Sequence, residues 1–333
     1  MTRIEQIWTE LENDFSITSG FLFRRYSGTM QPDVFIALKV PEKIRCIAVS
    51  VNSSVTINLS SFASLRDIQL EIIPDPQRND RYILLIKLLN VIHSDIFSIL
   101  CEDLMTSLEH VIVEDRIINI LLNRFEKWKS LFDRMGSVGL SDEEQRGLYA
   151  ELYLLRKLLD SQIATSYNIL NAWVGPDRQI RDFQNENWAI EVKCTSGNNH
   201  QRIHISSERQ LDISNLGNLF LFHLSLDPRQ NSGETLINII NEILPRLAIE
   251  VRSFNKFKAK LLEAGYFESN AYLYEHTGYA IRNELFYHVH GSFPRIEEDE
   301  IRAGVGDVKY SIIVSQCSDF IRSEQEVFQT LIF

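Results

Sequence analysis

The sequence predicts an α/β protein built from an amino-terminal antiparallel β-rich module, two bridging helices, and a mixed core with a carboxy-terminal α/β extension. Three observations carry this reading. Between Asp33 and Asn90, five short apolar runs are separated by breaks such as Pro41-Glu42-Lys43, Asn52-Ser53 and Pro74-Asp75-Pro76. From about His93 to Met135 the apolar residues recur at helical spacing instead. From Ser141 onward a capped amphipathic helix leads into extended segments and one strongly apolar strand, the pattern of a sheet with helices packed on it. The expected divisions are 1–92 (β module), 93–140 (bridging helices) and 141–333 (core with its extension).

Taken in order, Ile4, Ile7, Trp8 and Leu11 share one face of a short helix over residues 3–13. The strand candidates of the β module are 34–38, 44–49, 55–59, 68–72 and 82–86. Helices are expected at 93–110 and 115–135, the second carrying the stripe Ile118, Leu121, Leu122, Phe125, Trp128 and Phe132. Ser141 followed by Glu144 is a capping box that opens a helix running to about Leu159. Beyond it come extended segments around Asp182-Phe183 and 188–195, a third strand at 201–206, a short helix over 208–210 capped by Ser206 or Ser207, and the strand 219–226. Helices at 234–244 and 249–264, broken at Pro245, precede strands at 279–289 and 308–314 and a last helix at 323–331.

Chemistry concentrates around Trp188-Ala189-Ile190-Glu191-Val192-Lys193. Side chains two apart on a strand share a face, so Glu191 and Lys193 point the same way and Cys194 the other. If the segment before Asn185-Glu186-Asn187 pairs back on it, Asp182 comes near Glu191. Two carboxylates and an ammonium at one spot suit a hard cation such as magnesium, and the chemistry they favour is metal-assisted phosphodiester hydrolysis. Glu151 falls within the apolar stripe Leu148, Leu152, Leu155 of its helix, so it needs a cation, a metal or a hydrogen-bond network as partner. Asp177, in Gly175-Pro176-Asp177, is the alternate to Asp182, although Gly-Pro-Asp reads as a turn. The second Asp-x-Lys, Asp307-Val308-Lys309, follows a glycine-rich turn with no capped helix before it and is set aside. His288 and His290 share a strand face without an evident third ligand.

The order of these elements resembles that of the PD-(D/E)XK nuclease superfamily. Gly147-Leu148-Tyr149-Ala150-Glu151-Leu152, Arg181-Asp182-Phe183, Glu191-Val192-Lys193 and Ile205-Ser206-Ser207-Glu208-Arg209-Gln210-Leu211 are similar to segments of a group of bacterial PD-(D/E)XK proteins. Phe293-Pro294-Arg295-Ile296 and the segment from Gly304 to Tyr310 extend the similarity toward the carboxy terminus. The resemblance implies a restriction-endonuclease-like core (helix, three strands, helix, strand) and a Mg2+-dependent endonuclease, with Mn2+ as a substitute. Asp182 and Glu191 would hold the metal, Glu151 would reach it as a supporting acid, Lys193 would assist the water, and Gln210 would orient Lys193 or a phosphate. It also implies DNA as substrate and protein partners in a restriction or phage-defence complex, with a homodimer admitted. The rival expectation is a non-catalytic subunit that keeps the nuclease fold to bind nucleic acid or protein.

Composition narrows the classes. The chain has 333 residues, 44% hydrophobic and 24% charged, the balance of a globular protein with a sizeable core. No apolar run approaches the ~20 residues of a membrane span and the first residues form no signal peptide, so a cytoplasmic location without membrane partners is expected. Cys46, Cys101, Cys194 and Cys317 are scattered, which excludes a disulfide framework or a zinc ribbon. The formal net charge of −11 excludes indiscriminate coating of nucleic acid, which is driven by phosphate neutralisation. Local basic surfaces are therefore needed. The candidates are Arg124-Lys127-Lys129-Arg134 and Arg252-Lys256-Lys258-Lys260, the latter interleaved with Phe254 and Phe257.

Overall fold

In the computed structural model, which describes residues 3–30, 32–55, 67–134, 139–196, 202–214 and 216–333, the chain divides into two units, Met1–Ser137 and Val138–Phe333. The first contains α1 (Arg3–Glu12), five strands β1 (Gly20–Arg25), β2 (Val34–Val40), β3 (Ile44–Asn52), β4 (Ile68–Pro74) and β5 (Arg81–Leu88), and the helices α2 (Ser94–Leu108) and α3 (Glu114–Arg134). The strands form one antiparallel sheet in the order β1-β2-β3-β5-β4. Helix α1 buries Ile4, Ile7, Trp8 and Leu11; Trp8 donates its indole N–H to Ala37 O at 3.1 Å and stacks on Phe97 of α2. Strand β1 had no counterpart among the expected strands, because a single Gly-Phe-Leu-Phe repeat ending in Arg-Arg is too short to read as alternation. The expected strand 55–59 lies outside the described residues except for Val55, which is not in a strand.

The second unit is built on a sheet in the order β10-β11-β9-β7-β6, with β13 also on β11. Its elements are α4 (Asp142–Ser161), α5 (Ser166–Ala172), β6 (Phe183–Gln184), β7 (Trp188–Ser196), β8 (Arg202–Ile205), β9 (Asn218–Gln230), β10 (Glu234–Thr235), α6 (Leu236–Leu247), α7 (Val251–Glu263), β11 (Thr277–His288), β12 (Tyr310–Ile313), β13 (Ile321–Arg322) and α8 (Glu324–Thr330). The Ser141 capping box forms as expected and starts α4, while α5, capped by Thr165, was not anticipated. Strands β7 and β9 are parallel and the other pairs antiparallel. Strand β9 is buried on both faces, as its unbroken apolar run requires.

One face of this sheet packs Ile190, Val192, Phe220 and Phe222 against Leu148, Leu152 and Leu155 of α4, Ile239 and Ile243 of α6, and Phe257 of α7. The other face carries Ala189, Leu219 and Leu221 against Ile203, Ile205, Leu211, Ile312 and Phe293.

Three expectations are corrected here. Residues 202–205 do form a strand, but β8 pairs with β12 in a separate two-stranded sheet and does not join β7. Only Ile203 and Ile205 are buried in β8, so it has one apolar face and sits as an outer layer, leaving the place beside β7 to the two-faced β9. The expected helix over 208–210 is a single 3₁₀ turn capped by Ser207. It stops there because the carbonyls of Arg209, Gln210 and Asp212 accept from the Arg181 guanidinium and are not available to a growing helix. Pro245 does not break the chain between two helices but lies in the last turn of α6, which continues to Leu247.

Candidate active site

The site forms where the β6–β7 ladder ends. Strand β6 is two residues long and pairs Phe183 with Ile190 and Gln184 with Ala189. Beyond Ile190 the edge of β7 has no backbone partner among the described residues, and the next outward amide, Val192 N–H, donates to Asp182 Oδ2 at 2.7 Å. The Asp182 carbonyl in turn accepts from Val174 and Gly175 N–H at 2.8 and 2.9 Å. Asp182 is thus held at backbone and side chain, with Oδ1 left to face the site. Edge amides need partners, and a carboxylate here satisfies one while being fixed by it.

Glu191 and Lys193 stand on the same face of β7, and the Lys193 ammonium lies 2.7 Å from Glu191 Oε1. Glu191 is 1% exposed, and among the described residues no donor besides Lys193 reaches its oxygens. Burial, then the Asp182 charge, pushes the Glu191 carboxyl up to about 8. Burial would lower Lys193, but Glu191 and Asp182 raise it on balance, so it stays an ammonium. Opposite Lys193 on β9 is His223, which shares a 2.9 Å hydrogen bond with Thr195 Oγ1.

Glu151 enters from α4 on the other side of the strand edge. Its Oε2 accepts from Trp173 Nε1 at 2.7 Å, the network its place in the apolar stripe demanded. Burial, followed by the neighbouring Asp182 charge, raises its carboxyl well above the ordinary range, and burial also raises Asp182. Gly175 fits the space between them: a methyl carbon there would lie 2.6 Å from Glu151 Oε2 and 3.1 Å from Asp182 Oδ1. Glu151, Asp182 and Lys193 keep partial exposure, so the cluster opens to solvent on one side.

Sequence reasoning missed Trp173, Gly175, Arg181 and Lys260. Lys260 is 4% exposed; it donates to the Trp173 carbonyl and pairs with Asp177 at 3.0 Å, clamping the turn that carries Trp173 and Gly175. In the sequence Lys260 is one member of a basic run, and nothing local marks it as the buried one. The structure therefore brings Glu151, Asp182, Glu191 and Lys193 together and commits Asp177 to Lys260. Gln210 does not join them. Its Oε1 accepts from Ser206 N–H at 3.0 Å, and among the described residues its side chain makes no hydrogen bond to Lys193 or the carboxylates.

The other candidates lie apart in their bonding. Asp307 has a left-handed backbone, φ 53°, in the approach to β12, and Val308 N–H donates to Glu208. The rings of His288 and His290 are tilted at 54° to one another with centroids 4.5 Å apart. Cys194 packs toward α4, where burial pushes its thiol up to about 11.

The donor set is all oxygen, as a hard divalent cation requires, and the Glu191 carboxylate and the Oδ1 of Asp182 are the groups that would hold it. Among the described residues no three His, Cys, Asp or Glu side chains are already closed into a coordination sphere. Magnesium, which usually takes only one or two protein carboxylates and fills the rest with water and phosphate, does not require one. Among the described residues no helix is long and apolar enough to cross a membrane.

Residues 4–315 match the protein family described as "Putative PD-(D/E)XK family member, (DUF4420)". No curated protein and no solved structure matches the chain.

Two outcomes follow from this geometry. Gly175→Ala places carbon against Glu151 and Asp182, and calorimetry with Mn2+ is expected to show affinity weakened at least about tenfold while far-UV circular dichroism stays that of the wild type. Glu191 binds its proton more tightly folded, at about 8, than its ordinary value of 4.5, so its contribution to stability is full below about pH 4.5 and is lost as pH rises through 8. Metal-free wild type should therefore lose more melting temperature between pH 5 and pH 8 than Glu191→Gln does, and added Mg2+ should remove the difference.

Proposed function

This chain belongs to that PD-(D/E)XK family over nearly its whole length, and we propose that it is a divalent-metal-dependent endonuclease hydrolysing DNA phosphodiester bonds. The observation that carries this reading is the meeting of Glu151, Asp182, Glu191 and Lys193, drawn from a helix, a strand lead-in and a strand, at one opening in the sheet edge. Nucleases of this superfamily use divalent metal ions; Mg2+ is the ion proposed here, with Mn2+ able to replace it.

When bound, such an ion polarises a phosphoryl oxygen and makes water a better nucleophile. Asp182, fixed by Val192 N–H, presents Oδ1, and Glu191 presents the carboxylate oxygen that Lys193 does not take up. Glu151, oriented by Trp173, adds a third negative group at the Gly175 opening. Lys193 remains protonated, so it orients the attacking water by donating to its oxygen, or donates to a phosphate oxygen as charge develops. It acts as a positioned cation and not as a base. Arg181 fixes the 209–212 loop through its carbonyls. A restriction or phage-defence assembly with protein partners is the setting we propose, on family kinship alone.

The net charge of −11 favours a second reading, a non-catalytic subunit that retains the nuclease fold to bind a partner. Mn2+ calorimetry and plasmid cleavage on wild type, Asp182→Ala and Lys193→Ala separate the two. The nuclease reading expects metal affinity to fall at least about tenfold in Asp182→Ala and cleavage to fall about a hundredfold or more in both variants. A wild type that binds no metal and cuts nothing supports the second reading.

A further inference from the structure

The basic run on α7 splits into two faces once folded. Lys258 points to Phe254 and pairs with Glu268 at 3.5 Å. Arg252, Lys256 and Lys260 recur at four-residue spacing on the other, so the row covers ~12 Å of helix at about 1.5 Å per residue. At its outer end the Arg252 guanidinium lies 3.9 Å from the Tyr167 ring centroid on α5, and the Lys256 ammonium lies 5.3 Å from the same centroid. At its inner end Lys260 is buried on Trp173 and Asp177, the turn that borders Glu151 and Asp182. Arg178 follows Asp177 directly, exposed and held at φ 57° by the same turn.

Arg252 and Arg178 have no carboxylate partner among the described residues, unlike Arg156, Arg246 or Arg282 in the same unit. The nearby acids are already engaged: Asp177 with Lys260, Glu250 with Ser253, Glu268 with Lys258. In a chain of net charge −11, Arg252 and Lys256 meet at one tyrosine on the helix whose buried Lys260 grips the turn carrying Arg178, so three positive side chains line one path toward the carboxylates.

We propose that the Tyr167–Arg252–Lys256 face and Arg178 form a track for the phosphate backbone of duplex DNA, leading along α7 to the carboxylate cluster. The inference rests on the nuclease reading above and locates its substrate. Tyr167 holds the Arg252 guanidinium flat by cation–π contact, leaving its edge N–H groups to phosphate. Arg178 contacts the strand beside the reacting phosphate, and Lys260, already committed to the turn, anchors the inner end. Charge complementarity is the argument for this occupant: a duplex offers one negative charge about every 1.7 Å.

The test is fluorescence anisotropy of a labelled DNA duplex with full-length protein in Ca2+, across 50–200 mM salt, for wild type, Arg178→Ala, Arg252→Ala and the double variant, with Mn2+ calorimetry and melting temperature on each. Losing two phosphate contacts should lower the slope of log affinity against log salt by about 1.8, roughly 0.9 per contact, with metal binding and melting unchanged. A wild-type slope and affinity in the double variant overturns the track, as does a wild type that binds Mn2+ but no DNA duplex, or one that binds only duplex RNA. If wild type binds no Mn2+, the site reading fails first and the track falls with it.

Discussion

Gathering Glu151, Asp182 and Glu191 in one partly closed space is unfavourable by several kcal/mol unless positive charge or fixed donors offset it, and much of the second unit supplies that offset. Lys193 lies against Glu191, Val192 N–H holds Asp182, and Trp173 N–H holds Glu151. Two of these partners are fixed in turn by the surrounding fold. Val192 is fixed by the parallel β7–β9 pairing, and Trp173 by its burial against Phe257 and the grip of Lys260 on its carbonyl. What remains unoffset, the raised carboxyls of Glu151 and Glu191, is the part a divalent cation would neutralise.

The two-residue length of β6 is therefore consequential. A longer β6 would pair with β7 beyond Ile190 and satisfy Val192 N–H by backbone, closing the edge through which the cluster reaches solvent. Ending the ladder early leaves one amide for Asp182 and an opening for a substrate. The separate β8–β12 sheet packs on the face of β7 that carries Glu191 and Lys193, where Ile203, Ile205 and Ile312 join Ala189, Leu219 and Leu221 in the core.

Much of this was legible in the sequence, because it rests on local rules. The Ser141–Glu144 box, the stripe that turns Glu151 inward, and the two-residue spacing of Glu191 and Lys193 are set by helix and strand periodicity alone. That Gly175-Pro176 opens a turn while Phe183 begins a strand was legible for a similar reason. What escaped depends on contacts between distant segments. Lys260 reads as one more surface cation until its helix packs on Trp173, and Gln210 reads as a site residue until Ser206 N–H takes its side-chain oxygen. The partner of β8 lies more than a hundred residues away at β12, a pairing no local pattern encodes.

The account predicts that a metal ion enters between Asp182 Oδ1 and Glu191 and that Gly175 keeps the way clear. The most direct measurement is a crystal structure of the full chain grown with Mn2+, read by anomalous scattering. An anomalous peak bounded by Asp182 and Glu191, with Glu151 beside it, is the predicted result. Full occupancy at another cluster, with the Glu191–Lys193 pair undisturbed and no peak at the sheet edge, would contradict it.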